Sequence, residues 1–478
     1  MKKKYFIGLD GGTQSSKVVI FDLQGNIVCQ GKKDLQAMHM PRTGVVEHPG
    51  DDLWESIVAA SREAMGRFSG DIKSILGMGL CTIRCCRACL KEDGRLASPV
   101  LSWMDLRLAR SYEHTDPQVR YVTTTSGYIT HRFTGQFKDT AANHEGQWPI
   151  DKDTWQWSED QEVLKAFNIP RENLFDLVMP GDVLGYVTKA ASEQTGIPSG
   201  VPVVATANDK AVEALGAGLL SGKTALVSLG TYIGGMIYGE KNVKDAKTFF
   251  TNLACIPKDY LYESGGIRHG MGTVSWLRNI FGEDVLQKAQ IHGVSPEEVL
   301  NREAQKVAAG SDGLMTVPEW LAPPEKPFKK GIMIGFHGRH TRAHMHRSML
   351  EAISLTMKNH MDDMCRELDI ELEQIIVSGG GSSGDLFMQI FSDVFGIPVV
   401  RNEVNDSAGL GSAICAAVAV KAYDTFAAAI EKMVRVGDVF YPIPAHTSLY
   451  ETMNNDVYKH ITGFTDTILE KSYPIFKQ

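Results

Sequence analysis

The chain has 478 residues, too many for one ordinary hydrophobic core, so its length predicts about two to four domains. Its apolar fraction of 43% and charged fraction of 22% are typical of a soluble globular protein, and its formal net charge of −8 gives no reason to expect nucleic acid or a membrane as a partner. No apolar run approaches the length of a membrane span. The eight cysteines form no compact secreted framework, so we expect a cytoplasmic protein.

The first informative segment lies near the amino terminus, at residues 8–22. Apolar strands are predicted at 5–9 and 18–21, joined by a turn rich in glycine, threonine and serine. A hairpin with such a turn offers backbone N–H groups and hydroxyls to an anion. Asp10 ends the first strand, where it is suited to hold a cation beside that anion. The segment alone leaves open a hairpin whose glycines serve only the turn.

Two clusters further along have the composition, but not the spacing, of metal sites. Four cysteines lie in a strand-like run between residues 81 and 89, without paired Cys-x-x-Cys motifs, and we interpret them as buried free thiols. His340 and His344 are one helical turn apart but lack a matching carboxylate motif. We therefore expect them at the start of a helix rather than on a metal.

A glycine-rich stretch at 216–222 predicts a boundary between an N-terminal domain, 1–218, and a C-terminal domain, 219–478. A helical pattern at 210–215 precedes this stretch, and a strand at 224–229 follows it. A second Gly-Thr turn, Gly230-Thr231, comes directly after that strand. The repeat of the turn indicates duplicated domains, whose two hairpins would hold a polyphosphate from both sides.

The C-terminal half adds a long helix and a third glycine-rich turn. Apolar residues at helical spacing, many of them methionine, predict a packed helix over 342–368. A strand at 374–378 leads into the turn at 379–384, and a helix follows over 385–395, an arrangement typical of nucleotide sites. The turn also fits Gly-x-Gly-x-x-Gly, with Glu403 about twenty residues further on. A dinucleotide-dependent oxidoreductase is therefore one alternative.

The motifs together resemble the FGGY carbohydrate kinases, a branch of the ATPase superfamily of sugar kinases, actin and heat-shock chaperones. The segments that carry the resemblance are 44–54, 103–107, 208–218, 338–351 and 379–398, in that order. It implies an α/β fold in which two ribonuclease-H-like, actin-like ATPase domains flank a cleft. It also implies transfer of the γ-phosphoryl group of ATP to a hydroxyl of a pentulose, hexulose, glycerol-like or sugar-acid acceptor. A non-catalytic ATP sensor of the same fold is a second alternative.

The resemblance implies roles for individual residues. Asp209 would be the base that deprotonates the acceptor hydroxyl, and its other interpretation is the N-cap of the helix that follows. Asp10 would hold Mg²⁺, directly or through water. ATP would be bound by Asp10, Gly12, Thr13, Gln14, Lys17, Gly230, Thr231, Gly272, Gly380, Gly381 and Ser382. A homodimer is expected only by analogy.

The acceptor site is where the chain departs from its relatives. The candidates are Arg84, Trp103, Asp105 and Asp209, and a surface salt bridge is the other interpretation of Arg84. Arg84 matches an arginine of the glycerol kinases, but Cys85 replaces the carboxylate that follows it there. Only residues 108–127 separate the Trp103 motif from the next resembled segment, where the family has several dozen. Either the pocket is reduced or the sequence omits residues, so the acceptor is expected to be a small sugar or polyol of undetermined identity.

Overall fold

The computed structural model of the chain describes residues 3–146, 148–323 and 325–476. Its strands, numbered in chain order, are β1 (Tyr5–Gly11), β2 (Ser15–Asp22), β3 (Ile27–Asp34), β4 (Ile75–Thr82), β5 (Ala88–Leu90), β6 (Tyr121–Thr123), β7 (Lys138–Thr140), β8 (Ile150–Asp151), β9 (Gln156–Trp157), β10 (Asp176–Val178), β11 (Val183–Tyr186), β12 (Pro202–Asn208), β13 (Thr224–Leu229), β14 (Ile233–Gly239), β15 (Phe249–Leu253), β16 (Tyr260–Ser264), β17 (Met315–Val317), β18 (Ile332–Ile334), β19 (Gln374–Ser378), β20 (Val399–Asn402) and β21 (Val436–Phe440).

The helices are α1 (Asp52–Arg67), α2 (Thr125–Thr134), α3 (Gln161–Phe167), α4 (Lys189–Thr195), α5 (Asp209–Gly216), α6 (Gly270–Ile280), α7 (Glu283–His292), α8 (Pro296–Ala304), α9 (Arg342–Leu368), α10 (Asp385–Phe395), α11 (Ser407–Ala419), α12 (Phe426–Met433), α13 (Pro444–Met453) and α14 (Lys459–Phe476). Among the residues described, none of these helices combines the length and the apolar character needed to cross a bilayer.

Two large sheets share one topology. In the first, β1, β2 and β3 form an antiparallel meander, β4 runs parallel to β1, and β12 runs parallel to β4. In the second, β13, β14 and β16 repeat the meander, with β19 parallel to β13 and β20 parallel to β19. Both Gly-Thr turns join the first two strands of their sheet. The duplication that the two turns predict is thus present in the strand order.

The first sheet is buried on both faces. Along β1 and β2, Ile7 and Val18 belong to one apolar cluster, whereas Phe6 and Phe21 belong to another that extends into the C-terminal half. This alternation follows from the two-residue period of a strand. Helix α1 packs on β2 and β3, and α11 packs on β1 and β4. One face of the first sheet is therefore covered by a helix that begins about 200 residues after the end of β12.

Helix α11 approaches the first sheet at backbone distance. A Cβ atom on Gly8 would lie 1.9 Å from the carbonyl oxygen of Gly409, and one on Gly79 would lie 1.9 Å from that of Ser412. A glycine within a strand is typical of such a close approach by another backbone. Helices α5 and α11 also pack closely, because a Cβ atom on Gly216 would lie 1.8 Å from the Ser407 carbonyl oxygen.

The predicted long helix has the observed bounds of α9, Arg342–Leu368. Its methionines are core residues as expected, since Met349, Met357, Met361 and Met364 are fully buried. His344 lies at its start, where its side chain and that of Thr341 form a capping box. This agrees with the helix-start interpretation of His340 and His344.

Candidate active site

Asp10 and Lys17 face each other across the first hairpin. The Gly12 N–H donates to the Ser15 carbonyl oxygen at 3.0 Å, which closes the turn that contains Thr13 and Gln14. The ammonium group of Lys17 lies 3.1 Å from a carboxylate oxygen of Asp406, the N-cap of α11. Burial, together with the charges of Asp406 and Asp209, raises the pKa of Asp10 to about 7. Carboxylates therefore outnumber the one paired lysine at this hairpin.

The second Gly-Thr turn meets the start of α6. The Met271 N–H donates to the Gly230 carbonyl oxygen at 3.0 Å, and a Cβ atom on Gly270 would lie 2.4 Å from the Thr231 carbonyl oxygen. Gly272 is therefore in the first turn of the helix that packs beneath Gly230 and Thr231. Its predicted place with the adenosine-binding glycines stays a prediction.

The third glycine turn lies against the same hairpin. Gly379 has a φ of +85°, and a Cβ atom there would lie 2.6 Å from the Leu229 carbonyl oxygen. A Cβ atom on Gly381 would lie 2.9 Å from both Leu229 and the Met271 sulfur, whereas Gly380 has open space around it. The structure thus brings the predicted glycines of two distant turns and of α6 to one place.

Ser382 has a different position from the one expected for an adenosine contact. Its side chain is fully buried, and its hydroxyl donates to the Gly379 carbonyl oxygen at 2.8 Å and to the Asn405 side chain at 3.1 Å. These bonds hold the turn in shape and occupy the hydroxyl, so a contact of Ser382 with adenosine, which stays a prediction, would use its backbone.

Asp209 is the first residue of α5 and follows directly on β12. The N-cap is Asn208, whose side chain accepts hydrogen bonds from the N–H groups of Lys210 and Ala211 at 3.0 Å each. The N-cap interpretation of Asp209 is therefore wrong by one residue. The Asp209 side chain is 32% exposed, but its Oδ1 atom is buried and has no hydrogen-bond partner. Burial raises its pKa, against the opposing charges of Arg84 and Lys210.

Arg84 lies between the two halves of the chain. Its two terminal nitrogens each donate to Glu263 of β16 at 2.7 Å, and its Nε lies 3.8 Å from Oδ1 of Asp209. Arg84 therefore does form a salt bridge, but an interior one at the site rather than one on the surface. Glu263, which is only 5% exposed in its side chain, was not anticipated from the sequence.

Glu145 completes the cluster around Arg84. One oxygen of Glu145 accepts from the Leu253 N–H at 2.7 Å and from the Asn208 side chain at 3.0 Å, and the other lies 3.9 Å from Arg84. Burial raises the pKa of Glu145 to about 7. Through Asn208, Glu145 supports the residue that caps the helix of Asp209.

Asp105 belongs to a structural ion pair. Its carboxylate accepts from the Val46 N–H at 2.8 Å and from the Arg107 guanidinium, which also donates to Glu47 at 2.7 Å. The Asp105 side chain is completely buried. We therefore remove Asp105 from the acceptor candidates, because its oxygens are bonded within the protein. The motif residues near 46 and 105 hold each other in place.

Trp103 stays near the candidate acceptor site. It is half-buried against the apolar cluster of the first sheet, and its backbone lies close enough to Cys86, two residues after Arg84, to oppose the rise in the pKa of that thiol that burial causes. Between them, Cys85 has a φ of +58°, in the left-handed region that non-glycine residues rarely occupy. Burial raises the pKa of the Cys85 thiol to about 11. The described cysteines are free, in keeping with the thiol interpretation.

A polar network links α5 to the second sheet beneath Asp209. Glu213 accepts from Lys210 at 3.0 Å, from Ser228 at 2.9 Å and from Ser378, while Lys210 also donates to Ser228 at 2.7 Å. Both serines lie at the C-terminal end of their strand, shortly before a glycine turn: Ser378 is the last residue of β19, and Ser228 is the last but one of β13. Their matching positions were a signal in the sequence that could have pointed to this network.

Comparison with known proteins identifies the family. Models of the FGGY family of carbohydrate kinases match residues 5–117 and 108–216 with the N-terminal domain and residues 225–420 with the C-terminal domain. The chain belongs to the FGGY family of carbohydrate kinases. The two N-terminal matches overlap at residues 108–117, directly after the Trp103 motif. FGGY kinases are ATP-dependent phosphotransferases, and this protein is such an enzyme.

Individual relatives agree with this assignment. The chain is 52% identical over 475 residues to "Uncharacterized sugar kinase YgcE" of Escherichia coli (strain K12), covering 99% of this chain and 96% of the relative. It is 24% identical over 519 residues to the xylulose kinase of Lactococcus lactis subsp. lactis (strain IL1403), covering 98% and 99%. A gluconate kinase structure from Lactobacillus acidophilus matches with a TM-score of 0.84 at 18% identity, covering 98% of this chain and 100% of that one.

The fold of these relatives is the expected one. A structure of Plasmodium falciparum glycerol kinase with ADP matches with a TM-score of 0.79 at 18% identity, covering 96% of this chain and 99% of that one. The predicted α/β class with two actin-like ATPase domains is thereby confirmed. The oxidoreductase alternative for the turn at 379–384 is set aside, because the family consists of kinases.

Proposed function

We propose that the enzyme transfers the γ-phosphoryl group of ATP to a hydroxyl of a small sugar or polyol, with Asp209 as the base. The observation that carries the proposal is the Asp209 carboxylate, which lies at the start of α5, is 32% exposed and has one buried oxygen without a hydrogen-bond partner. In this step the acceptor oxygen bonds to the γ-phosphorus, the bond from that phosphorus to the β,γ-bridging oxygen breaks, and ADP leaves. The hydroxyl proton passes to Asp209.

ATP would lie between the two hairpins and the third turn. Backbone N–H groups at turns hold phosphates well, and the proposed phosphate ligands are Gly12, Thr13, Gln14, Lys17, Gly230 and Thr231. The adenosine would lie against Gly272, Gly380 and Gly381, a placement supported by the convergence of these glycines. We also propose a domain boundary at 218/219, supported by the end of α5 at Gly216 and the start of β13 at Thr224.

The charges around Asp10 fit a divalent cation. The charges of Asp209 and Asp406 both act on Asp10, and Lys17 is paired with Asp406. A hard cation such as Mg²⁺ is commonly held by one or two carboxylates together with substrate phosphates. When bound, it neutralises charge on the transferred group. Asp10 would hold it, as the sequence predicts.

Arg84 and Trp103 would contact the acceptor together with Asp209. Arg84 is 22% exposed and reaches toward both Asp209 and the second half of the chain. Phosphoryl transfer depends mostly on positioning and on charge neutralisation, so a weak base held close to the hydroxyl suffices. The arrangement favours an enzyme over the ATP-sensor alternative, since a sensor has no need of a base.

Substituting Asp209→Asn tests the proposal. We expect kcat to fall by about 10²- to 10⁴-fold while ATP still binds, because Asn keeps the shape but cannot accept the proton. ADP release with a panel of pentuloses, hexuloses and polyols measures kcat, and calorimetry measures ATP binding. Asp245→Asn, on the exposed surface, is the matched control. Turnover by Asp209→Asn near that of the parent enzyme would refute the role of Asp209.

A further inference from the structure

We infer that Glu263 restricts the acceptor to uncharged sugars and polyols by occupying the Arg84 guanidinium, an inference that rests on the phosphotransfer proposed above. Sugar acids of the same size would be excluded. Glu263 is thus the residue that determines specificity between two chemical classes of acceptor.

The Arg84–Glu263 pair leaves few free N–H donors for an acidic ligand. A guanidinium holds a carboxylate best through two parallel N–H donors. Both terminal nitrogens of Arg84 already donate to the two oxygens of Glu263, at 2.7 Å each. Glu263 is fixed in turn, since its Oε2 accepts from the Asn252 side chain at 2.7 Å. A substrate carboxylate would therefore have to displace a buried, well-bonded one.

The local charge opposes a further anion. Arg84 is the cation at the centre of three carboxylates: Glu263 at 2.7 Å, Asp209 at 3.8 Å and Glu145 at 3.9 Å. Neighbouring Lys210 is bonded to Glu213 and Ser228. Bringing another carboxylate here adds repulsion and desolvation cost. Hydroxyl groups both donate and accept, so they can bond to the edges of the Arg84–Glu263 pair without breaking it.

One cation offers an acid another place to bind. Burial raises the pKa of the Tyr232 phenol, the charge of Glu263 adds to that rise, and the charge of nearby Arg268 opposes it. Arg268 is therefore a second candidate partner for an acid that avoids Arg84. The two interpretations therefore differ in which substitution changes the preference for acids.

The test compares acceptors in matched pairs: sorbitol with gluconate, xylitol with xylonate, and glycerol with glycerate, with xylulose and fructose added. The full-length enzyme is assayed by ADP release, and the ester product is identified by mass spectrometry. We expect the uncharged members to be preferred in kcat/KM by at least about 10-fold, given the strength of like-charge repulsion at these distances. A preference for the acids would overturn the inference but leave the proposed kinase intact. Bound ATP with no turnover of any acceptor would overturn both.

Two variants separate charge from packing. In Glu263→Gln the amide cannot neutralise Arg84, so the acid-to-neutral ratio of kcat/KM should rise by about 10-fold or more. Glu263→Asp keeps the charge and should keep acids rejected, even if its kcat is lower. An unchanged ratio in Glu263→Gln, in a variant that melts like the parent and binds ATP, would refute the inference. So would acid turnover by the parent enzyme that Arg268→Gln abolishes.

Discussion

Substituting Glu145→Gln should make stability less sensitive to pH. The Glu145 carboxylate is 5% exposed, and burial raises its pKa from the usual 4.5 to about 7. The raised pKa means that the folded state holds the proton more tightly than the unfolded state. The stability that this proton confers is present below pH 4.5 and is lost as the pH rises through about 7. A shift of this size corresponds to about 3 kcal/mol.

The side-chain amide of glutamine can replace the Glu145 carboxylate without loss of its hydrogen bonds. The hydrogen bonds that Glu145 accepts from the Leu253 N–H and the Asn208 side chain converge on one oxygen, so a Gln oxygen can accept both. The substitution removes the ionisation above pH 7. Part of this stability is already lost at pH 5, so Glu145→Gln should gain about 2.5 kcal/mol relative to the parent between pH 5 and pH 8.5. For a chain of this length that gain raises Tm by about 3 °C.

The assay is thermal unfolding of both proteins at pH 5 and pH 8.5, with exposed Glu193→Gln as the control. Titration of Asp10 occurs in both proteins and cancels in the difference. The comparison weighs burial of Glu145 against its attraction to Arg84, 3.9 Å away. If Glu145→Gln instead loses stability relative to the parent as the pH rises, the attraction outweighs burial and the reasoning is refuted.

Three further predictions follow from the fold and the site. Gly8→Ala should lower the free energy of unfolding by about 3 kcal/mol, because its Cβ atom would lie 1.9 Å from a carbonyl oxygen of α11. Gly66→Ala is the control and should not destabilise the protein, because Gly66 has open space around it; Tm values measure both effects. Asp105→Asn should lower the free energy of unfolding by about 1–3 kcal/mol but leave the KM for the acceptor within about twofold of the parent value. A large rise in KM at unchanged Tm would show instead that Asp105 contacts the acceptor. Burial raises the pKa values of Asp10 and Asp209, and both carboxylates act in their ionised form, so kcat/KM should fall as the pH is lowered from about 7. A kcat/KM that stays constant down to pH 5 would contradict this expectation.

Local features of the fold were predictable because their signals lie within a few residues. The hairpins at Asp10 and Thr231, the turn at Gly379 and the span of α9 each follow from apolar periodicity and glycine placement. The same local patterns gave Asp209 as the start of a helix. They could not decide between Asn208 and Asp209 as the N-cap, because both residue types favour that position.

The acceptor side was less predictable, because its contacts join distant parts of the chain. Arg84 and Glu263 are 179 residues apart, and nothing in either local sequence shows that they meet. For Asp105, in contrast, the local sequence suggested a role in binding that its contacts do not support. Its motif suggested a ligand-binding carboxylate, and only the buried contacts with Val46 and Arg107 reveal that the motif stabilises the fold.

The position of α11 on the first sheet has a consequence for synthesis on the ribosome. The face of that sheet containing Phe6 and Phe21 is covered by a helix that ends at Ala419. Almost the whole polypeptide must leave the exit tunnel before this apolar face is shielded, although every strand of the sheet has emerged by Asn208. A nascent chain stalled between Asn208 and Ala419 exposes an apolar surface of the kind that chaperones bind. The proposed boundary at 218/219 divides the sequence, but it does not mark where folding of the first half can be completed.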